Sequence, residues 1–345
     1  MIVEDFNQIK NSSIDWNRFE NKTILITGAN GFLPAYMVET LLLLNNDILK
    51  YSPCKVIALV RNEKHTKERF SNYLSDENLK IIVQDVANEI NLIEKIDYIV
   101  HAASPASPKY YNIDPVGVIM PNILGTKNTL ELARKNNIEG YLYFSSGEVY
   151  GQLNDGEVVN EDKYGYLDPT SVRACYGESK RMGENLCVSY GHQYNIPIKI
   201  VRPFHTYGPG MKLDDGRVFA DFVKNIVNNE DIEMKSDGSA RRAFCYLSDA
   251  TVAFFKILLD GEKNNAYNMA NAKAIISIKD LATILVNMFP EKKLKAVFSE
   301  QSKDYLQSPV KGNSVDTSKL EKLGWKPSVS IEEGFKKTIR SYLWV

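Results

Sequence analysis

From Lys22 to Ser146 the chain alternates short apolar runs with amphipathic stretches. TILIT (23–27), KVIALV (55–60), KIIV (80–83), DYIVH (97–101) and YLYFSS (141–146) are dominated by apolar and β-branched residues with no polar alternation. Strands of that kind lie in parallel sheets covered on both faces. Helical stretches fill the gaps, notably Pro34–Asn45, Glu63–Leu74 and Pro115–Asn137. A helix from about Tyr176 leads into a further strand, IKIVRPF (198–204). Repeated βαβ units predict an α/β fold built on a doubly wound parallel sheet.

The texture changes after Pro209. Helices over about 217–228, 248–260 and 278–289 mix with short strands, and LEKLGWKPSVSIEEGFKKTI closes the chain. The expected organisation is an N-terminal extension (1–21), a main α/β domain (22–208) and a smaller, mainly substrate-binding C-terminal lobe (209–345). The extension is expected to be a helix packed on the surface, with no chemistry of its own.

Composition narrows the class. The 42 basic and 43 acidic side chains leave a formal charge of −1. That balance leaves no footprint for nucleic acid or an anionic membrane. Cys54, Cys175, Cys187 and Cys245 stand apart with no CxxC pair. This argues against zinc or a disulfide framework, so no metal is expected, and a reducing cytoplasm fits. The opening MIVEDFNQIKNSSIDW is acidic and lacks the apolar core of a secretory signal. The Leu41–Leu44 run is far too short to span a bilayer.

The first strand runs directly into Gly28-Ala-Asn30-Gly31-Phe32-Leu33-Pro34, and a helix follows. Such a turn lets backbone N–H groups and a helix N-terminus face a pyrophosphate, as in Rossmann dinucleotide sites. A third glycine is missing, with Pro34 in its place. Proline is tolerated in a first helical turn but alters how closely strand and helix can pack. The second strand ends in Arg61, with no carboxylate for a ribose 2′-hydroxyl. An arginine suits a 2′-phosphate, which leans the expectation to NADP over NAD. Arg61 could equally stack on adenine or lie in solvent, so the cofactor stays NAD or NADP. Asp85, closing the third strand, could accept from the adenine amino group or simply cap its turn.

Tyr176-Gly-Glu-Ser-Lys180 places a phenol and an ammonium on one helix face. The ammonium can stabilise a phenolate, lowering a pKa of about 10. Such a phenol removes the proton of a sugar hydroxyl as hydride leaves the same carbon. YxxxK alone is common. It gains weight from Ser145-Ser146-Gly147-Glu148 upstream, where a serine can bond and orient the same hydroxyl.

With these motifs in place, GANGF, HAASPAS (101–107), SSGEVYG (145–151), RACYGESKRMGE (173–184), RPFHTYGPG (202–210) and RRAFCYLSD (241–249) resemble the extended short-chain dehydrogenase/reductase family, the sugar-nucleotide epimerases and dehydratases. ASPASPKYY, RACYGESKR and TYGPGMKLDDGRV are most similar to the UDP-glucuronate decarboxylase branch, and bacterial dTDP-4-keto-6-deoxyhexose reductases are also similar. The resemblance implies Tyr176 as base, Lys180 as its partner, Ser146 as the hydroxyl-orienting residue and Glu148 as a catalytic carboxylate. Glu148 could also be a capping acid. It implies cofactor contacts at Gly28, Asn30, Gly31, Phe32, Leu33, Arg61, Asp85, Val86, Ala102, Ala103, Ser104 and Pro203, with Tyr176 and Lys180. It implies substrate contacts at Ser104, Asn122, Glu148, His205, Arg217 and Arg242, the last of these with Asn122 and Arg217 gripping the nucleotide and diphosphate. A nucleoside-diphosphate sugar is the implied substrate, and a homodimer through Pro115–Asn137 and Tyr176–Tyr194 the implied assembly.

Two departures matter. Gly147 stands where the dehydratases carry an aspartate and the decarboxylases a serine, which disfavours dehydration. The missing acid near Arg61 weakens a mechanism with permanently bound NAD. Both pull towards a reductase or an atypical decarboxylase or epimerase. A non-catalytic NAD(P) sensor on the same fold is the rival of another class, and the intact Ser146, Tyr176 and Lys180 speak against it.

Overall fold

The computed structural model describes residues 1–154, 156–298 and 314–343. Strands β1 (Thr23–Thr27), β2 (Lys55–Val60), β3 (Leu79–Val83), β4 (Tyr98–His101), β5 (Gly140–Phe144) and β6 (Ile198–Pro203) make a parallel sheet. Their order is β6-β5-β4-β1-β2-β3, reversing direction after β3 as a doubly wound fold requires. Every residue of β4 and β5 is buried, as is every residue of β2 after Lys55. Burial on both faces is why these runs read as continuously apolar.

Helices follow the strands: α1 (Val3–Lys10), α2 (Phe32–Asn45), α3 (Glu63–Arg69), α4 (Pro115–Met120), α5 (Thr126–Asn136) and α6 (Cys175–Tyr194). The predicted 63–74 helix is shorter, giving way to a 3₁₀ turn over Ser71–Tyr73. The predicted 115–137 helix changes winding instead. Pro121 supplies no N–H to the ladder, and Pro121–Gly125 winds as a π-helix between α4 and α5. The 141–146 strand ends early, because Ser146 leaves it to cap a 3₁₀ turn over Gly147–Tyr150.

Past Pro203 the chain builds a second lobe from β7 (His205–Tyr207), α7 (Val218–Asn228), β8 (Ile232–Met234) and β9 (Arg241–Tyr246). It then crosses back. Helix α8 (Leu247–Asp260) packs Phe254, Phe255 and Leu258 into the core under the main sheet, and β10 (Asn265–Met269) adds a seventh parallel strand beside β6. Returning once more, β11 (Ile275–Ser277), α9 (Ile278–Met288), β12 (Ala296–Phe298), α10 (Ser318–Glu321) and α11 (Ile331–Leu343) complete the chain. Phe219, Phe222, Leu281 and Phe335 lie in the second lobe's own core. The strand at 265–269 escapes a sequence reading because Asn265 and Asn268 interrupt a short run.

The N-terminal segment departs from the expected surface helix. Asp5 and Ile9 of α1 are fully buried. Asp5 accepts hydrogen bonds of 3.0 Å from Tyr36 in α2 and from Tyr246 at the end of β9. Lys337 of α11 lies 3.7 Å from the same carboxylate. Burial raises the Asp5 carboxyl pKa. Gln8 bonds Asp249 at 2.6 Å and Ser328 at 2.9 Å. The extension thus ties the two lobes together, because only one face of so short a helix can remain wet.

Candidate active site

The glycine turn forms as a cradle. Gly28 has φ +63°, and a Cβ there would stand 2.7 Å from Ala103 Cα. Only glycine permits both the conformation and that approach. Gly31 is the N-cap of α2. Ala35 N donates to Gly31 O at 3.1 Å, so the helix ladder begins beyond Pro34. Pro34 is missing an N–H in the first turn, where no intrahelical partner exists, and α2 starts undisturbed. The N–H groups of Phe32 and Leu33 are the helix-terminal donors. Thr27 Oγ1 accepts from both Ala102 N and Ala103 N at 3.2 Å, fixing the loop after β4 across the turn. His101 is locked behind it between Thr27 and Thr126. Ser104 Oγ is buried with no hydrogen-bond partner, and an orphaned hydroxyl beside a glycine cradle fits a polar ligand. The residues present therefore suit a dinucleotide.

At the adenosine end the expectations divide. Asn30 turns its amide to Thr66 Oγ1 at 2.8 Å, tying the turn to α3. Arg61 is exposed, with Nη1 4.0 Å from Asp85 Oδ2. Asp85 also accepts from Ala87 N at 2.9 Å, so its capping role is realised. Val86 is buried against the position of Gly125. An arginine already opposed by a carboxylate offers a 2′-phosphate little net charge, which removes the basis of the lean to NADP.

Tyr176, Ser146 and Lys180 lie together. Tyr176 is buried beside Ser146, whose side chain lowers the phenol pKa, while Ser146 Oγ accepts from Glu148 N at 3.2 Å. Lys180 Nζ donates to Phe144 O at 2.6 Å and lies 5.8 Å from the Tyr176 ring centroid. The expected lowering of the phenol pKa is not found. Burial pushes Tyr176 up to about 12, with Ser146 and Arg217 pulling down and Glu148 pushing up. Burial likewise draws Lys180 down to about 7. Desolvation outweighs the attraction between the two groups because Lys180 is directed at a carbonyl and over the ring, not at the hydroxyl.

Glu148 is half-buried and paired with Arg173 Nη2 at 3.2 Å. The Arg173 guanidinium covers the Tyr111 ring at 4.9 Å, and Tyr111 stacks on Tyr176 at 5.2 Å and 15°. Across the groove Arg217, the N-cap of α7, pairs with Asp215 and lies over Phe219. His205 packs against Phe219 and Phe244, and its Nδ1 is buried without a partner. Burial, then Arg242 and Arg217, push the His205 imidazole down to about 3. A neutral imidazole facing two guanidinium groups is a setting for a phosphate-bearing ligand. A cavity of about 220 Å³ opens beside it, lined by Gly216, Val218, Met234, Lys235 and Ile278. Asn122 lies outside this cluster, with its Oδ1 buried and unpaired. It is wholly buried and donates to Val118 O and Ser179 Oγ at 3.0 Å, tying α6 to the π-turn. Pro203 is half-buried at the mouth of β6.

Three residues escaped the sequence reading. Arg202 is buried under the site, bonded to Glu184 at 2.7 and 2.8 Å and to Tyr150 at 2.9 Å. Glu184 in turn accepts from Ser145, fixing the strand end that presents Ser146. Arg173 precedes Tyr176 by about one helical turn, a spacing that could have exposed it. Tyr111 carries no local signal, since long-range folding alone brings it over Tyr176.

Fold and site together define a dinucleotide-dependent α/β enzyme. The description NAD dependent epimerase/dehydratase family matches residues 24–270, and the chain belongs to that family. Among curated relatives, UDP-glucuronic acid decarboxylase 6 of Arabidopsis thaliana is 31% identical over 91% of this chain and 87% of its own. UDP-glucuronic acid decarboxylase 1 of Danio rerio is 31% identical over 94% of this chain and 73% of its own. Of solved structures, UDP-glucose 4-epimerase from Thermotoga maritima shares the fold at TM-score 0.79 and 22% identity, covering 93% of this chain and 98% of its own. UDP-glucuronic acid 4-epimerase from Bacillus cereus, solved with UDP-glucuronic acid and NAD, superposes at TM-score 0.78 and 23% identity over the same shares.

Proposed function

We propose that this protein oxidises a nucleoside-diphosphate sugar transiently at C4 and, with UDP-glucuronate, releases CO₂ to leave a UDP-pentose. The observation that carries it is the Tyr176–Ser146–Lys180 constellation, with Glu148 beside it and Arg217, Arg242 and His205 across the groove. Similarity to UDP-glucuronic acid decarboxylases over nine-tenths of the chain supports the same reading. Gly28, Gly31, Phe32, Leu33 and Ser104 would hold NAD, which would supply a reversible acceptor for the C4 hydride. Ser146 orients the C4 hydroxyl, and Tyr176 would take its proton as the phenolate, so its own proton must leave first because burial holds the phenol at about 12. The resulting ketone makes the neighbouring acid a β-keto acid, whose C–C electrons move into the carbonyl as CO₂ leaves, and the enolate then takes a proton from water at C5 to restore the ketone. Tyr176 then gives the proton back as C4 is reduced. Arg217 and Arg242 would hold the diphosphate, and the cavity beside Val218 the base. The four thiols are buried and unbridged, which suits a cytoplasmic setting.

Gly147 favours a second reading, reduction of a dTDP-4-keto-6-deoxyhexose, because no side chain stands there to act on the C5–C6 end. The Phe204 ring lies 3.0 Å from where its Cβ would be. Two incubations separate the readings: UDP-glucuronate with trace NAD, and dTDP-4-keto-6-deoxyglucose with stoichiometric NAD(P)H. CO₂ and a UDP-pentose in the first are expected. Cofactor consumption only in the second replaces the decarboxylase with the reductase. Turnover of neither leaves 4-epimerisation, and cofactor binding with no sugar-nucleotide binding leaves the sensor.

A further inference from the structure

Arg173 has more donors than the protein uses. Its Nη2 reaches the two Glu148 oxygens at 3.2 and 3.5 Å, longer than the roughly 2.7–2.9 Å of a well-made charge-assisted bond. Its Nε is buried with no acceptor. Burying a charged donor unpaired is costly, so an acceptor is expected to arrive with a ligand. The guanidinium is separated from Tyr176 by a single ring, since it covers Tyr111 and Tyr111 stacks on Tyr176. The charges around this cluster are Glu148, which pairs with Arg173, and Arg217, which pairs with Asp215. Lys180 Nζ lies 5.8 Å from the Tyr176 ring centroid. Residue 147 contributes no side chain, and Phe204 fills the adjoining space.

We propose that Arg173 is the specificity residue for an acidic sugar: its guanidinium donates to the carboxylate on C5 of a uronic acid, while Glu148 and the Tyr111 ring hold the fork in place. The inference rests on the proposed reading of the protein as a C4-active enzyme on UDP-glucuronate and adds the residue that reads the sugar's charge. Glu148 competes with the substrate for the same fork, so its neutralisation should strengthen the contact.

The test measures binding rather than turnover. UDP-glucuronate, UDP-glucose and UDP are titrated calorimetrically into NAD-loaded Tyr176→Phe protein, in which chemistry is halted. UDP-glucuronate should bind about 10-fold or more tighter than UDP-glucose. Adding Arg173→Gln should abolish that preference while UDP and UDP-glucose affinities hold. Arg173→Lys should retain part of it, and Glu148→Gln should widen it. A preference that survives Arg173→Gln overturns the proposal. Should that variant fail to fold, an unchanged preference in Glu148→Gln overturns it instead. Equal affinity for the two sugar nucleotides in the parent removes this inference alone, whereas no binding of UDP or either sugar removes the functional reading beneath it.

Discussion

Tyr176 bears the sharpest consequence of the geometry. Tyr176→Phe removes the hydroxyl beside Ser146 and nothing of the Tyr111 stack. Turnover should fall about 10²–10⁴-fold with unchanged circular dichroism and NAD affinity. A variant keeping half the wild-type kcat, with chemistry rate-limiting, would dismiss it as the base. Lys180 gives a prediction on stability. Its pKa is about 7 in the folded protein against 10.5 for a free lysine side chain. Between those values the unfolded chain binds more protons than the native one, so stability rises with pH across that window. The slope from this group approaches ~1.4 kcal/mol per pH unit. Denaturation at pH 7 and pH 9.5 should show a smaller rise in Lys180→Met than in wild type. Arg61 and Asp85 give a third. Because Asp85 opposes Arg61, wild type should favour NAD over NADP, and Asp85→Asn should raise NADP affinity selectively. An unmoved ratio of dissociation constants would make the pair a bystander to the ribose.

At the scale of elements, the Gly28 turn is the least replaceable piece. Gly28→Ala would press a methyl group to 2.7 Å from Ala103 Cα at a left-handed φ. Backbone on both sides has nowhere to move, so NAD binding should be lost before the sheet unfolds, read as a drop in NAD affinity with a retained melting transition. Six of the seven main strands were legible in the sequence because double-sided burial makes each a compact apolar run. So were the glycine turn, Ser146, Tyr176 and Lys180, since each sits at a fixed offset from an element end. What stayed hidden was set by distance along the chain. The sequence could not show that Asp85 turns back to Arg61, that Tyr111 lands on Tyr176, or that Asn122 is buried with its amide nitrogen bonded to Val118 and Ser179. Nor could the direction of the Tyr176 shift be read, since Lys180's preference for Phe144 O depends on strand geometry.

For the whole molecule, the outer faces of α4, α5 and α6 expose Val116, Met120 and Leu124 at four-residue spacing, with Met182 and Tyr194 nearby. We propose that a second copy covers them; light scattering should give a dimer, and Leu124→Glu with Met182→Glu a monomer. Asp5 carries the other whole-molecule prediction. Asp5→Ala strands two buried tyrosine hydroxyls, and stability should fall by about 2–4 kcal/mol, measured by urea unfolding. The same carboxylate meets residues from α2, β9 and α11, so the first helix is sealed by the last. Those parts lie far apart along the chain. The emerging chain can close neither the seventh strand of its sheet nor the seat of α1 until nearly everything else has been made. Its maturation should therefore be a late, post-translational event with a long-lived, chaperone-dependent nascent form, and not a domain-by-domain assembly.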